Sequence, residues 1–238
     1  MNKKTNILIV NDDGIESYGI AKLAAMAANF GDVWVVAPEG QCSGMSQKLT
    51  IFSELNVQER EFPATVRAAY SVSGTPADCV KVALHALLDF RPDVVLSGVN
   101  DGMNAGHDVC YSGTVGAATE AALNGIHTIA FSMGKASAVD VAEQNLPAML
   151  EELLFAPLNP GELWNVNFPD CAASACKGIL RGRVPAACSF YDNEYDRAEG
   201  ALSIRVSNPG PEQCREGSDI HAILHGYVSI GEVRSPLF

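Results

Sequence analysis

The segment Asn6–Gly14, with the sequence NILIVNDDG, decides the fold. Residues 6–10 form a mostly apolar run with β-branched side chains, which predicts a short strand buried on both faces. A polar turn, Asn11–Gly14, follows this strand. A helix rich in Ala and Leu is then predicted from Tyr18 to Asn29, with Gly31 closing it. Strand, turn and helix in this order indicate an α/β protein.

The same alternation of strand and helix continues along the chain and predicts a Rossmann-like, mostly parallel sheet flanked by helices. A pair of strands, in the manner of a hairpin, is predicted within residues 50–72, and polar loops within Glu39–Lys48 and Gly98–Tyr111. The remaining predicted strands are Val33–Ala37, Asp93–Ser97, His127–Ser132 and Leu163–Phe168, and the remaining predicted helices are residues 75–90, Ser112–Asn124 and Val139–Leu154.

The region after residue 170 has weaker periodicity and predicts a smaller β-rich extension. Within it, His221–Ile230 is predicted to be a strand. We therefore expect a single domain over residues 1–238, with a core of about residues 1–170 and an extension of about 171–238 that serves oligomerisation.

Composition narrows the function classes. The 238 residues include 16 Lys and Arg against 28 Asp and Glu, a net charge of −12, which argues against attraction to a nucleic-acid duplex or to an anionic membrane. Residues 1–10 contain an apolar run of only about five residues, which is too short for the core of a signal peptide or for a membrane span. Seven scattered cysteines without a C-x-x-C pair predict free thiols and a cytoplasmic location, not a zinc site.

Hard oxygen donors follow several of the predicted strands. Asp12 and Asp13 come after the first strand, Ser43 lies in the loop after the second, and Asn100 follows the strand at 93–97. The carboxyl ends of parallel strands share one edge of the sheet, where α/β proteins place their ligands. Oxygen donors favour Mg²⁺, Mn²⁺ or Ca²⁺ over zinc. The plain alternative is that the two aspartates only cap the following helix.

A second feature of this edge is the segment Tyr111–Thr114, which enters a predicted helix with Ser112 as its N-cap. Free backbone N–H groups at such a helix start bind anions. No Lys or Arg occurs between Asp93 and Met133. A phosphate at this edge would therefore be held by backbone amides, hydroxyls, asparagine amides and a metal ion. The plain alternatives are an ordinary helix cap and a flexible loop.

Taken together in this order, the motifs resemble the survival protein E (SurE) family of metal-dependent nucleotide phosphatases. The resemblance is close over about the first 133 residues and returns in shorter stretches later. The motifs that carry it are Asn11–Ile15, Val35–Pro38 with Ser43-Gly44, Gly74–Val80, Ser97–Asn100, Tyr111–Val115, Asn165–Pro169, Gly217–Asp219 and Gly226–Ile230.

The resemblance implies one divalent metal ion per subunit, Mg²⁺ or Mn²⁺, held by Asp12, Asp13, Ser43 and Asn100. It implies a 5′-nucleotidase that hydrolyses nucleoside monophosphates, with 3′-nucleotidase and exopolyphosphatase as further activities. It also implies a homodimer or homotetramer in which C-terminal segments are exchanged between subunits.

On this hypothesis Asp12 and Asp13 are the catalytic residues, and either activated water or a carboxylate attacks phosphorus, with activated water favoured. The residues expected to bind substrate phosphate are Ser43, Gly44, Asn104, Ser112, Gly113 and Thr114. His107 is a weaker candidate for an acid or base, because its neighbours suit a turn. Asp78 is expected to be a carboxylate in the first turn of a helix and not a catalyst.

Two alternatives from other classes remain. A phosphoacceptor signalling module also uses an acidic pair and Mg²⁺, but it needs an aspartate where this chain has Ser97 and a lysine near the last strand, where Lys135 lies slightly beyond. A nucleotide-binding module without turnover is the other, although the turn after the first strand lacks G-x-G-x-x-G. Stoichiometric labelling by a small phosphodonor, as opposed to turnover, separates a signalling module from a phosphatase.

Overall fold

A mixed, nine-stranded sheet forms the centre of the molecule in the computed structural model, which describes residues 4–134, 139–207 and 214–235. The strand order is β3-β4-β2-β1-β5-β6-β7-β11-β8. Strands β4, β2, β1, β5, β6 and β7 run parallel, whereas β3 is antiparallel to β4 and β11 is antiparallel to β7. The predicted α/β fold class is confirmed.

The bounds of the elements are as follows. The strands are β1 Thr5–Val10, β2 Gly31–Pro38, β3 Val57–Glu59, β4 Ala68–Val72, β5 Val94–Asp101, β6 His127–Met133, β7 Glu162–Phe168, β8 Ile179–Leu180, β9 Asp192–Ala198, β10 Ala201–Ser207 and β11 Val228–Arg234. The helices are α1 Tyr18–Ala27, α2 Pro76–Val82, α3 Gly113–Leu123, α4 Val139–Leu153 and α5 Asp219–Leu224.

Two apolar layers sandwich the sheet, as the alternation along β1 shows. Ile7 and Ile9 pack with residues of α1 and α4, whereas Leu8 and Val10 pack with residues of α2 and α3. All four side chains are fully buried. The prediction that this strand is buried on both faces is therefore confirmed. Because helices cover both faces of β1, a ligand can reach the strand only at its carboxyl end, at the edge of the sheet.

Strand β5 is longer than predicted. The segment Gly98–Asp101 was expected to begin a loop, but it continues the strand to Asp101 after a shift of register against β6 between Ser97 and Asn100. Gly98 has a φ of +126°, and a Cβ at this position would lie 2.2 Å from the carbonyl oxygen of Phe131. The strand thus crosses this bulge only because residue 98 has no side chain.

Two further predictions were wrong in their details. The helix predicted for residues 75–90 ends as an α-helix at Val82 and continues only as a π-helical turn, Ala83–Leu87. The segment His221–Ile230 is not one strand, because Ser218 caps the short helix α5 with its hydroxyl oxygen, which accepts from the N–H of His221. Within it, pairing with β7 begins only at Ser229, and Val228 pairs with Ile179 of β8.

The region after residue 170 divides between two sheets. Strands β8 and β11 extend the main sheet. Strands β9 and β10 form a separate antiparallel hairpin, which is the smaller β structure predicted after residue 170. None of the described helices is both long and apolar enough to cross a membrane.

Asp78 has the structural role predicted for it, at the start of α2. Its carboxylate accepts from the N–H of Thr75 at 2.9 Å and closes a capping box with that residue. It also accepts from the N–H and the hydroxyl of Thr50, at 3.0 and 2.7 Å. Burial opposes ionisation, but these hydrogen bonds outweigh it and lower the pKa of Asp78. Asp78 thus joins the helix to the loop after β2.

We expect Asp78→Ala to lower the free energy of unfolding by about 2–3 kcal/mol, because a cap is lost and buried donors are left unpaired. Because the folded-state pKa lies below the ordinary value of 3.8, this stabilisation is present above that pH and is lost as pH falls further. Urea denaturation at pH 7 and pH 3 measures both effects. Asp89→Ala, at an exposed position, is the control; equal losses for both variants at pH 7 would contradict the assigned role.

Candidate active site at the carboxyl edge of the sheet

Three separated parts of the chain meet around Asp12 and Asp13. The N–H of Cys42, in the loop after β2, donates to the carbonyl of Asp12 at 2.6 Å. The N–H of Asp101, at the end of β5, donates to Oδ2 of Asp13 at 3.0 Å. The hydroxyl of Thr114, in the first turn of α3, donates to Oδ1 of Asp12. Hydrogen bonds therefore connect the acidic pair to the loop after β2, to the end of β5 and to the start of α3.

The environment of the two carboxyl groups favours their neutral forms. Asp12 is only 3% exposed, and burial raises its pKa to about 6, with the charge of Asp13 adding to the effect and the hydrogen bond from Thr114 opposing it. Burial also raises the pKa of Asp13, against the hydrogen bond from Asp101. A buried acid and an adjacent half-buried acid are therefore unfavourable as a pair of anions unless a cation compensates them.

No basic side chain of the described residues provides that cation. The ion pairs in the ranges 4–134, 139–207 and 214–235 join other acids, and neither Asp12 nor Asp13 takes part in one. The described residues also contain no group of three or more His, Cys, Asp or Glu side chains suited to a metal ion. Any cation at this edge would therefore rely on hydroxyl and amide oxygens in addition to the two carboxylates.

Ser43 and Asn100 are the residues that offer such oxygens. Ser43 is exposed and directly follows Cys42, whose N–H contacts Asp12. Asn100 is buried next to Asp101, and its side-chain nitrogen donates to the carbonyl of Gly102 at 2.8 Å. Because the nitrogen is used in this bond, the oxygen is the atom that Asn100 offers to a cation.

The start of α3 has the features that the sequence predicted. Ser112 is the N-cap, and its hydroxyl oxygen accepts from the N–H of Val115 at 3.0 Å. The first N–H to bond a carbonyl within this helix is that of Gly116, to Ser112. The N–H groups of Gly113 and Thr114 precede it and are the ones that a helix start leaves for an anion.

Thr114 has a contact that the sequence did not reveal. Its side chain is fully buried and its hydroxyl is directed at Asp12, so its backbone N–H is the group it offers to an anion. Its carbonyl accepts from the hydroxyl of Ser97 at 2.8 Å. These two bonds fix α3 against β1 and β5 at the site.

Gly113 lies against Asp12 more closely than any side chain would allow. A Cβ at position 113 would lie 2.8 Å from Cβ of Asp12, 2.9 Å from its Oδ2 and 3.1 Å from the carbonyl oxygen of Cys42. The glycine thus leaves open the space beside Oδ2, which is the carboxylate oxygen that Thr114 does not bond.

The other residues singled out in the sequence lie in the loop after β2 and in the segment between β5 and α3. Gly44 is exposed beside Ser43, and Asn104 is buried with its side-chain nitrogen bonded to the hydroxyl of Ser132 at 2.8 Å. His107 is exposed in a 3-10 turn, His107–Cys110. Its neighbour Asp108 accepts from the N–H groups of Phe190 and Tyr191, a structural contact.

Fold and site together define an α/β protein with an oxygen-donor centre beside a helix N-terminus. The chain belongs to the Survival protein SurE family, whose model matches residues 7–189. Relatives named 5′-nucleotidase SurE are 39% identical in Chelativorans sp. (strain BNC1) and 40% identical in Polaromonas naphthalenivorans (strain CJ2), covering 94% of this chain and 91% and 89% of the relatives. The resemblance noted in the sequence is confirmed.

A solved structure supports the same assignment. The crystal structure of the SurE protein from Aquifex aeolicus superimposes with a TM-score of 0.81 at 32% identity, over 96% of this chain and 93% of that one. The SurE nucleotidase family is metal-dependent. The donor set here fits a hard divalent cation, since it consists of carboxylate, hydroxyl and amide oxygens with open space beside Asp12.

We expect Gly113→Ala to weaken the binding of Mn²⁺ by about tenfold or more, because the new methyl group displaces the carboxylate of Asp12. Isothermal titration calorimetry measures this affinity directly. Gly40→Ala in the neighbouring loop is the matched control, since a Cβ at Gly40 has no atom within 4 Å. Unchanged Mn²⁺ affinity in Gly113→Ala would show that the cation does not bind beside Asp12.

Proposed function

We propose that this chain is a divalent-metal-dependent phosphomonoesterase that hydrolyses nucleoside monophosphates to nucleoside and phosphate, as a 5′-nucleotidase. The observation that carries the proposal is the contact between the buried Asp12, one of the acidic pair, and the start of α3. That contact supports a cation site and an anion site that lie side by side. The name that the curated relatives share, 5′-nucleotidase SurE, agrees with this chemistry.

The proposed metal ligands are Asp12, Asp13, Ser43 and Asn100, with one Mg²⁺ or Mn²⁺ per subunit. When bound, the ion supplies polarisation of a phosphoryl oxygen and a lower pKa for a coordinated water molecule. The carboxylates are the groups that require the positive charge, because the described part of the chain gives them no basic partner.

The protein groups proposed to bind the phosphate surround the start of α3. The N–H groups of Gly113 and Thr114 lie in the first turn of the helix, where free N–H groups and the helix dipole favour an anion. Ser112 at the cap, Asn104 in the segment after β5, and Ser43 and Gly44 in the loop after β2 are the further groups proposed to bind the phosphate. These donors would stabilise the charge that develops on phosphorus oxygens during transfer.

The acidic pair is proposed to provide the general base of the reaction. One carboxylate of Asp12 and Asp13 accepts the proton as water attacks phosphorus. The P–O bond to the nucleoside breaks, and the carboxylic acid returns this proton to the leaving alkoxide, which becomes the nucleoside hydroxyl. Hydrolysis of 3′-nucleotides and of short polyphosphate would use the same groups, because each presents a terminal phosphoryl group.

The structure gives no support to a phosphoacceptor module. The position where such a module needs an aspartate holds Ser97, which is fully buried and bonded to the carbonyl of Thr114. Lys135, the nearest lysine beyond β6, lies outside the described residues. A protein that binds nucleotides without turnover would show no phosphate release in the activity measurement.

We expect Asp12→Asn and Asp13→Asn each to reduce kcat/KM by about 1,000-fold, the equivalent of about 4 kcal/mol of transition-state stabilisation, because the cation loses a charged ligand. Phosphate release from a panel of 5′- and 3′-nucleoside monophosphates and short polyphosphate, with Mn²⁺, with Mg²⁺ and with a chelator, measures the effect.

The control for this experiment is Asp32→Asn, at a surface acid paired with Lys4 and Arg67 far from the site. It should retain wild-type turnover. Equal rates with and without chelator would reject the metal-dependent reaction. Near-normal activity in either site variant would instead place the centre elsewhere.

We further propose a homodimer or homotetramer that forms through the C-terminal extension, with the hairpin β9–β10 as its contact. Its two strands pair only with each other among the described strands. Tyr195 faces Ile204 across the hairpin, and Leu202 shares their face. Each of these three side chains is 61% exposed, so a single chain leaves an apolar surface without a partner. The proposed location is the cytoplasm, in keeping with seven free cysteines.

We expect the triple variant Tyr195→Ser, Leu202→Ser and Ile204→Ser to shift the mass in solution to that of a single chain, because the apolar face is removed. Size-exclusion chromatography with light scattering measures the mass. Ser203→Asp, on the opposite face of the hairpin, should leave the oligomer intact. An unchanged mass in the triple variant would show that the subunits associate elsewhere.

A further inference from the structure

The segment Met103–Gly106, between Asn100 and the start of α3, is fixed by side chains from later parts of the chain. The N–H of Met103 donates to the hydroxyl oxygen of Tyr191 at 2.9 Å. The N–H of Gly106 donates to Oδ2 of Asp219 at 2.8 Å. Neither bond belongs to a helix or a sheet, so individual side chains help to hold the backbone of this segment, in addition to the bridge between Gly106 and Ser189.

Asn104 lies at the centre of this segment and is bonded on both sides of its backbone. Its N–H donates to Oδ1 of Asn167 at 2.9 Å. Its carbonyl accepts from the side-chain nitrogens of Asn165 and Asn167, at 2.8 and 3.1 Å. The side-chain nitrogen of Asn104 itself is bonded to Ser132. Four hydrogen bonds to one residue, all buried, leave Asn104 a single orientation.

Asn165 and Asn167 are well placed to hold that orientation. They are two residues apart on β7 and so project from the same face of a strand that lies inside the sheet. They are 4% and 0% exposed. A strand in the middle of a sheet is among the most rigid parts of a protein, whereas a connecting segment is among the most mobile. The two asparagines transfer the rigidity of β7 to the segment.

We propose that Asn165 and Asn167 are positioning residues for the phosphate-binding edge: they fix the backbone of Asn104 and, through it, the segment that joins Asn100 to the start of α3. This inference rests on the proposed function for its catalytic consequence, since Asn104 and Asn100 are there assigned to phosphate and metal. The contact with Asn104 is itself independent of that assignment. Neither asparagine touches the substrate in this proposal.

The side-chain oxygen of Asn165 has no hydrogen-bond partner among the described residues, which indicates that the residue serves the contact of its nitrogen with Asn104. This Oδ1 is buried, so the side chain carries an unsatisfied acceptor while its nitrogen holds Asn104. A buried unsatisfied oxygen lowers stability. Leucine at position 165 would remove that cost and would leave the carbonyl of Asn104 still bonded to Asn167. Asn165→Leu is therefore a variant in which positioning changes with little change in stability.

The test compares Asn165→Leu and Asn167→Leu with a control variant, Thr128→Val. Thr128 is fully buried on the neighbouring strand β6 and donates to the carbonyl of Val95 at 3.0 Å, near the opposite end of the sheet. Its loss also removes a buried bond from a side chain to the backbone, but it leaves Asn104 untouched. Hydrogen exchange of the peptide around residues 102–106 and phosphate release from nucleoside monophosphates with Mn²⁺ are measured for all three.

We expect faster exchange at residues 102–106 in both asparagine variants and wild-type exchange there in Thr128→Val. We expect kcat/KM to fall on the order of 100-fold in Asn167→Leu, which loses both contacts, and less in Asn165→Leu, with the loss in kcat exceeding the change in KM. Asn167→Asp keeps the acceptor for the N–H of Asn104 and should recover part of the loss. Thr128→Val should stay within about twofold of wild type.

The outcomes separate the two proposals. Wild-type protein without metal-dependent phosphate release would reject the proposed function, while the exchange data would still decide whether the asparagines position the segment. Unchanged exchange at residues 102–106 in Asn167→Leu would overturn the positioning role. Equal losses of kcat/KM in Thr128→Val and Asn167→Leu, at equal stability, would also overturn it, because a general loss of packing would then explain both.

Discussion

Two adjacent carboxyl groups at the end of β1, one buried and one half-buried, are the constraint on which the rest of this structure depends. The fold places them where the apolar strand ends, and no basic side chain among the described residues pairs with them. Such an arrangement is unfavourable unless donors and a cation compensate the charge. Donors from Thr114 and Asp101 supply part of that compensation. The loop after β2, the end of β5 and the start of α3 each donate a hydrogen bond to one of the two aspartates.

The sequence predicted those parts of the fold that local patterns control. The apolar runs of β1, β2 and β6 and the cap of α3 by Ser112 lie where their composition placed them. Prediction failed where pairing between strands overrides local pattern and where a local helix cap was not recognised. The register shift in β5 extends that strand beyond Gly98, and the cap of α5 by Ser218 turns a predicted strand into a helix followed by a strand.

The candidate site likewise has features that the sequence predicts and contacts that it does not. The grouping of Asp12, Asp13, Ser43, Asn100 and Ser112 at one edge follows from strand order alone, so sequence motifs indicate it. The bond from Thr114 to Asp12 joins residues 102 apart, and those from Asn165 and Asn167 to Asn104 join residues 61 and 63 apart. Nothing local encodes such pairs. The alternation Asn165-Val166-Asn167 on a buried strand is the one visible sign, because buried amides need partners.

The two ends of the main sheet have a consequence for how this chain behaves in a crowded solution. The terminal strands β3 and β8 have three and two residues, whereas the strands between them have five to eight. An outer strand this short shows few free backbone groups with which another polypeptide could align. The apolar interior of a nine-stranded sheet is thereby kept from acting as a template for fibrous growth, even though its central strands have the composition that favours it.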